Sequence, residues 1–153
     1  MGALSVTGLK TGTTSLDITA GTVTKSVPVR VHPAGLFPLM DNQLPTTVNG
    51  ITFSQGALPG SIHVKGTSTA WTKIEADVTL EAGTYTLACT NGKGWTYGVI
   101  LSKTGGDDSI ISGPSDGAPK TGVLEGGAYT VKVFVTGHQT VDVDLTPTLV
   151  KTK

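Results

Sequence analysis

Three aromatic side chains could bind a ligand by stacking. Trp95 and Tyr97 follow a glycine-rich turn, where a large ring is often exposed, and Trp71 lies at the start of a predicted strand. An exposed aromatic face stacks on the C–H groups of a sugar ring, while neighbouring amides and carboxylates bind the hydroxyls. Trp71, Trp95 and Tyr97 are therefore candidate glycan-binding residues. The alternative interpretation is that the rings cap the protein core, because only 5% of the chain is aromatic.

No pattern in the sequence is typical of a catalytic centre. The histidines His32, His63 and His138 lack the neighbours of an HExxH or CxxC motif. No serine is expected in the nucleophile elbow of a hydrolase. The carboxylates that a glycosidase would need fall on polar, outward faces of predicted strands. We therefore predict no enzymatic activity, no catalytic residue and no cofactor.

Acidic residues at two places could bind calcium. Asp107 and Asp108 are adjacent in a glycine-rich stretch, and Asp142 and Asp144 share one strand face because side chains alternate. A hard cation requires several oxygen ligands, however. An ordinary solvated face is the preferred interpretation, and no metal site is predicted.

Composition bears on the partners and the location of the protein. The formal net charge is zero, so a nucleic-acid partner is not expected. No segment approaches the ~20 apolar residues of a membrane span. The N-terminus lacks the basic and apolar regions of a signal peptide. A location outside a cell then implies a removed signal or another exit, such as virus release by lysis. The single cysteine, Cys89, is interpreted as a small buried hydrophobe rather than a reactive thiol.

The candidate residues lie on or beside short predicted strands, which extend over almost the whole chain. Alternating apolar residues separated by turn signals predict nine or so strands, and hence an all-β antiparallel sandwich. One long irregular stretch, residues 103–122, is predicted to be a functional or mobile loop. The alternating segments are Leu16–Ala20, Val27–Val31, Ile51–Phe53, Ile62–Val64, Ile74–Leu80, Tyr85–Cys89, Tyr97–Leu101, Tyr129–Val135 and Val141–Leu145.

A boundary after His32-Pro33 divides the chain into a β-hairpin, residues 1–33, and a sandwich domain, residues 34–153. A two-stranded hairpin is marginal alone. It must pack on the sandwich, on a neighbouring subunit, or on a part that this chain lacks. We interpret it as a docking arm whose contact residues are Leu16, Ile18, Val27, Val29 and Val31.

Two stretches resemble known families. The motif Val6-Thr7-Gly8-Leu9-Lys10-Thr11-Gly12-Thr13-Thr14, with the valine-rich strands up to Val31, resembles the final third of a bacterial invasin/intimin-type Ig-like domain. Residues 49–150 resemble a carbohydrate-binding-module-like jelly roll that is common in phage and prophage structural proteins. That resemblance rests on Leu80-Glu81-Ala82-Gly83-Thr84-Tyr85-Thr86-Leu87 and on the closing Pro147-Thr148-Leu149. Together they imply an Ig-like hairpin followed by a jelly-roll-like sandwich.

The resemblance implies a non-enzymatic phage virion structural protein: a head-decoration, tail or fibre component on the particle surface. Its expected partners are capsid or tail subunits and other copies of itself, as a homo-oligomer. The alternative is an accessory carbohydrate-binding module of a secreted or bacterial cell-surface protein, which would bind cell-surface glycans. The first hypothesis predicts a symmetric oligomer, and the second predicts a tryptophan fluorescence response to a glycan.

Overall fold

The computed structural model of the chain describes residues 12–31, 40–106 and 108–153. Within these ranges twelve strands and one 3-10 turn, Asp41–Gln43, form the fold. No helix in the described ranges is long and apolar enough to cross a lipid bilayer. The strands are β1 Gly12–Ala20, β2 Val23–Val31, β3 Thr46–Val48, β4 Ile51–Gln55, β5 Ile62–Thr67, β6 Thr72–Leu80, β7 Gly83–Thr90, β8 Tyr97–Lys103, β9 Ser109–Ser112, β10 Lys120–Leu124, β11 Gly127–Val135 and β12 Thr140–Lys151.

Two antiparallel sheets make the sandwich. One has six strands in the order β10-β7-β12-β5-β4-β3, and the other has four in the order β6-β11-β8-β9. From β5 to β8, and again from β9 to β12, each strand lies in the opposite sheet to the one before it. The jelly-roll-like, all-β antiparallel sandwich predicted from the sequence is confirmed.

The core lies between the two sheets and follows the period-2 pattern of the sequence. Alternate residues of β11 point into it, as do those of β6, β7 and β8. Each fully buried side chain of this size contributes about 1.5–3 kcal/mol to stability. Core residues without exposed surface include Phe53, Val64, Leu87, Leu101, Val131, Val133 and Leu145.

The last strand, β12, joins the two halves of the larger sheet. Its first part, from Thr140 to Leu145, pairs with β5. Its second part, from Thr146 to Lys151, pairs with β7. Pro147 lies in that second part, opposite Cys89. The C-terminal segment thus closes the sheet through contacts with residues far away in sequence.

The chain makes the same corner at two of its crossings between the sheets. The first corner leads from β6 into β7 and the second from β10 into β11: Leu80-Glu81-Ala82-Gly83-Thr84-Tyr85 and Leu124-Glu125-Gly126-Gly127-Ala128-Tyr129. In each, the buried tyrosine hydroxyl donates to the glutamate carbonyl four residues earlier, at 3.1 Å in the first and 2.6 Å in the second. The hydroxyl satisfies a corner carbonyl that ladder hydrogen bonds do not reach.

The prediction of a long irregular stretch over residues 103–122 is wrong. β9 pairs with β8, with a register shift between Leu101 and Ser102 of β8, and the start of β10 pairs with β7. Only the segments between and before these strands are loops. β9 has four residues and β10 includes Gly122, so neither shows the apolar alternation that marks the other strands.

β1 and β2 form the hairpin predicted near the N-terminus, with the turn at Gly21. The register places Leu16 opposite Val27, so the apolar side chains share one face and Ser15, Asp17 and Ser26 lie on the other. Within the described ranges, each of these two strands makes its extensive contacts with the other. The boundary to the sandwich falls in residues 32–39, outside the described part of the chain.

Cys89 is buried in the core, as predicted, and this gives the protein a specific alkaline sensitivity. Burial, reinforced by the charge of Asp116, raises the pKa of the Cys89 thiol to about 12. The unfolded chain loses this proton near the ordinary thiol pKa, so rising pH favours the unfolded state until the folded thiol also ionises. The stability is therefore intact below about pH 8 and decreases between about pH 9 and pH 12.

We expect the free energy of unfolding to fall between pH 7 and pH 10 by about 1.4 kcal/mol more in the wild type than in Cys89→Ala. Urea unfolding at the two pH values measures this difference, and the comparison cancels the lysines and tyrosines that both proteins share. Equal losses in the two proteins would contradict a buried, neutral thiol.

Candidate functional site

Three aromatic rings meet on the outer face of the four-stranded sheet. Phe134, on the central strand β11, points away from the core and is nevertheless fully buried. Trp71 stacks on it with ring centroids 4.6 Å apart and an interplanar angle of 15°. Trp95 lies against the same ring at 6.4 Å with a tilt of 47°. We call these three residues the aromatic platform.

The strand order places both tryptophans beside Phe134. Trp71 directly precedes β6 and Trp95 lies just before β8, and these strands flank β11 on either side. Asn49 Nδ2 donates to the Trp71 carbonyl at 3.2 Å. The Thr136 amide, at the end of β11, donates to the Thr96 carbonyl at 2.9 Å. A side-chain bond to the Trp71 carbonyl and a backbone bond to Thr96 therefore fix the main chain at both tryptophans beside the end of the strand that carries Phe134.

Both tryptophan rings cover Phe134 and still present surface to solvent. Trp71 is 42% exposed and Trp95 is 58% exposed. Side chains of this size are normally well buried, so two exposed indoles against one buried ring are an unusual feature of this surface. The structure therefore meets the geometric requirement of the stacking hypothesis and also shows that neither ring enters the sandwich core.

Tyr97 lies apart from the platform. It begins β8 and packs half-buried against the core cluster, on the opposite face of the sheet from Phe134. The sequence hypothesis therefore named two of the three rings that meet here, and it missed Phe134. Phe134 could have been found in the sequence, because it is an aromatic residue at an outward-facing position of a strand whose inward positions are Tyr129, Val131, Val133 and Val135.

A polar groove continues the platform along the same face. It is a depression of about 270 Å³ between β6, β11 and the loop of residues 104–106. Lys73 pairs with Glu75 at 2.5 Å, and the Thr130 hydroxyl donates to Asp77 at 2.6 Å. The groove adjoins the platform, because the pairing of β6 with β11 places Lys73 directly opposite Phe134. We define the polar groove by Lys73, Glu75, Asp77, Thr130, Lys132 and the loop of residues 104–106.

A second hollow lies beyond Trp95. It has a volume of about 550 Å³ and is open to solvent. Exposed Ile110 and the side chains of Ser115, Lys120 and Thr121 contribute to its lining together with Trp95. Trp95 thus has Phe134 on one side and a hydroxyl-rich hollow on the other.

His63 lacks the sequence neighbours of a metal-binding motif, but in the fold it belongs to a charged cluster on the six-stranded sheet. Its Nδ1 lies 2.7 Å from Asp144 and its Nε2 lies 3.3 Å from Asp142. The hydrogen bond from Lys65 holds the pKa of Asp142 below its usual value. Asp142 and Asp144 share a face, as predicted; Asp142 is exposed and Asp144 is half-buried, and register with β5 places both beside His63. Both imidazole nitrogens face carboxylates, and Lys65 forms an ion pair with Asp142 at 2.8 Å, so these side chains bind one another.

The spacing Gly-x-Ser-x-Gly of a nucleophile elbow, which was not expected, is present at Gly113-Pro114-Ser115-Asp116-Gly117. In a hydrolase this motif joins a strand to a helix. Here it lies in the connection between β9 and β10, and exposed Ser115 forms an isolated bridge with Ala118. Among the described side chains, Ser115 has no hydrogen bond to a histidine. This serine is therefore not in a nucleophile elbow.

No group of three or more His, Cys, Asp and Glu side chains within the described ranges is arranged to hold a metal ion. Of the acidic residues considered for calcium, Asp107 and the contacts it makes lie outside those ranges. Asp108 is exposed.

The docking-arm residues are only partly solvent-exposed. Ile18 is 48% exposed and Val27 is exposed as well, while Leu16 and Val29 are half-buried. The side chain of Val31 lies outside the described part of the chain. The arm thus presents apolar side chains to solvent on one face of its two-stranded sheet.

Comparison with known proteins adds no assignment. No protein-family model, no curated protein and no solved structure matches the chain. The resemblances to an invasin/intimin-type Ig-like domain and to a carbohydrate-binding-module-like jelly roll therefore stay predictions.

Proposed function

We propose that this protein is a non-enzymatic carbohydrate-binding protein whose site is the aromatic platform of the four-stranded sheet. The observation that carries the proposal is the convergence of Trp71 and Trp95 over Phe134 with both indoles still exposed. A sugar ring stacks on such a surface through its C–H groups. The polar groove and the hydroxyl-rich hollow beyond Trp95 would bind the hydroxyls of the units on either side.

The arrangement favours an extended glycan over a small, enclosed ligand. The polar groove and the hollow beyond Trp95 are open rather than closed cavities, and they lie on either side of the three rings. Small-molecule sites normally bury most of their ligand. A chain of sugar units lying along the sheet would use all three regions at once.

A titration of intrinsic tryptophan fluorescence with a panel of soluble polysaccharides tests this proposal. Both tryptophans of the chain are in the platform, so we expect binding there to change the tryptophan emission. We expect a saturable response to at least one glycan, and about 30-fold weaker binding by Trp95→Ala, since loss of a central aromatic contact commonly costs about 2 kcal/mol.

Leu58→Ala is the matched control, because it removes an exposed apolar side chain from a loop of the other sheet. Binding should be unchanged in this variant. If no glycan in a broad panel alters fluorescence, or if Trp95→Ala binds like the wild type, the proposal fails.

The exposed apolar face of the docking arm favours a second function, assembly on a phage particle as a virion structural protein. An amphipathic two-stranded sheet gains stability when its apolar face is covered. Capsid or tail subunits, or other copies of this chain, would supply that cover. Display on a virion and glycan binding are compatible, because they use different parts of the chain.

The mass in solution tests self-assembly through the arm. We expect an oligomer that dissociates when Ile18 and Val27 are both replaced with aspartate. Ser26→Asp is the control, since its side chain lies on the opposite, polar face of the hairpin. A wild type that stays monomeric at high concentration would contradict self-assembly through the arm.

A further inference from the structure

Lys132 is the unusual residue of the polar groove. It lies on the central strand β11 and is only 6% exposed. Register places it between Glu75 of β6 and Ile100 of β8, on the face that carries Phe134. Lysine is almost never so deeply buried unless its ammonium is paired.

Within the described part of the chain, the Lys132 ammonium has one weak hydrogen bond. Its acceptor is the Gly106 carbonyl at 3.4 Å. Of the described carboxylates, none lies within ion-pair distance of Lys132, although Lys73 beside it is paired. An ammonium has three donors, so two of them have no acceptor among the described protein groups.

The two carboxylates of the groove are engaged elsewhere. Glu75 is held by Lys73 at 2.5 Å, and Asp77 accepts the Thr130 hydroxyl at 2.6 Å. Among the described residues, the groove therefore contains one buried cation without an ion-pair partner and two carboxylates that have partners. A ligand that supplies a negative oxygen to Lys132 would complete the arrangement with a charge-assisted hydrogen bond.

The position of Lys132 relative to the platform decides which kind of anion fits. Lys132 and Phe134 are two residues apart on one strand and on one face, so their Cα atoms are separated by about 7 Å. Trp71 lies beyond Phe134 on the side away from Lys132, because Phe134 is opposite Lys73 and Lys132 is opposite Glu75. A glycan that extends from the platform along β11 would therefore pass over Lys132 and place a carboxylate of its next unit at the ammonium. On the proposed carbohydrate-binding function, this anion is part of the glycan.

We infer that the polar groove is a subsite for the carboxylate of an acidic sugar, with Lys132 as its binding residue. This inference rests on the proposed carbohydrate-binding function and names the substrate class of the same site. The net charge of the chain is zero, so attraction of a polyanion to the whole protein does not provide this preference.

A matched pair of ligands separates the carboxylate from the rest of the sugar. The probes are polygalacturonate and the same polymer with its carboxylates methyl-esterified. Oligosialic acid and its carboxyl-reduced form serve as a second source of sugar carboxylate. The wild type should bind the acid form of one pair at least about tenfold more tightly than the uncharged form. Binding of the acid form should weaken with added salt, while binding of the uncharged form should not.

Variants of Lys132 assign the preference to this residue. Lys132→Met keeps the apolar stem and removes the charge, so it should lose about tenfold in affinity for the acid form and nothing for the uncharged form. Lys132→Arg keeps the charge and should preserve the preference. If Lys132→Met does not fold, the salt dependence of binding by the wild type and the acid preference of Lys132→Arg still test the subsite.

The outcomes distinguish the inference from the proposed function. A wild type that binds acid and uncharged forms equally, or a Lys132→Met variant that keeps the acid preference, overturns the acidic-sugar subsite alone. A wild type that binds neither charged nor neutral glycans overturns the carbohydrate-binding proposal as well.

Discussion

Replacing Phe134 with alanine is expected to lower the free energy of unfolding by about 3–5 kcal/mol. Phe134 is fully buried although it points away from the sandwich core, because Trp71 and Trp95 cover it. The truncation removes the ring on which both indoles rest and leaves a cavity on the outer face of the sheet. Equilibrium urea unfolding followed by far-ultraviolet circular dichroism measures the loss.

The same variant should change the environment of the tryptophans before the protein unfolds. Without Phe134 the indoles become more accessible, so the native emission should shift to longer wavelength and quenching by iodide should increase. Val123→Ala is the control, because it shortens a highly exposed side chain and should alter stability by less than about 0.5 kcal/mol. A Phe134→Ala protein with unchanged stability and emission would show that the three rings do not form one packed unit.

Replacing Gly66 with alanine is expected to cost about 3–5 kcal/mol, or to prevent folding. Gly66 has φ +131°, a backbone conformation that residues other than glycine rarely adopt. A Cβ at this position would lie 2.1 Å from the carbonyl oxygen of Gly50. That carbonyl cannot move away easily, because Gly66 is paired with Ile51 in the β4–β5 ladder. Thermal unfolding of the purified variant measures the effect.

Gly117→Ala separates the steric clash from the backbone conformation. Gly117 has φ +69°, but a Cβ there meets no heavy atom within 4 Å. This control should lose only about 1–2 kcal/mol, which is the cost of the left-handed conformation. If the two variants were equally stable, close approach of β4 and β5 at Gly66 would not be a constraint of the fold.

The strands with a clear apolar alternation could be predicted from the sequence, because a half-buried strand needs a residue of the opposite polarity at every second position. Tyr129 to Val135 in β11 and Ile74 to Leu80 in β6 are examples. β3, β9 and β10 were not predicted, because short strands and strands with glycine do not carry the pattern. Their pairing depends on neighbours distant in the chain.

The aromatic platform could be predicted only in part. A tryptophan after a glycine-rich turn indicates exposure, and Trp95 is exposed. That Trp95 and Trp71 both contact Phe134 follows from the insertion of β11 between β6 and β8, which no local pattern encodes. Burial of Lys132 has the same origin: its position in the alternation predicts a polar outer face, and the loop of residues 104–106 covers it. The cluster around His63 likewise depends on the register of β5 with β12.

The measurement that tests the central claim most directly is a nuclear magnetic resonance titration of the indole N–H signals. The chain has two tryptophans, so a ¹⁵N-labelled sample gives two such signals, both from the platform. With the glycan that gives the strongest fluorescence response, both signals should shift and follow one saturation curve, while the amides around His63 on the other sheet stay in place. Indole signals that remain fixed while amides elsewhere respond to that glycan would contradict a binding site on the aromatic platform.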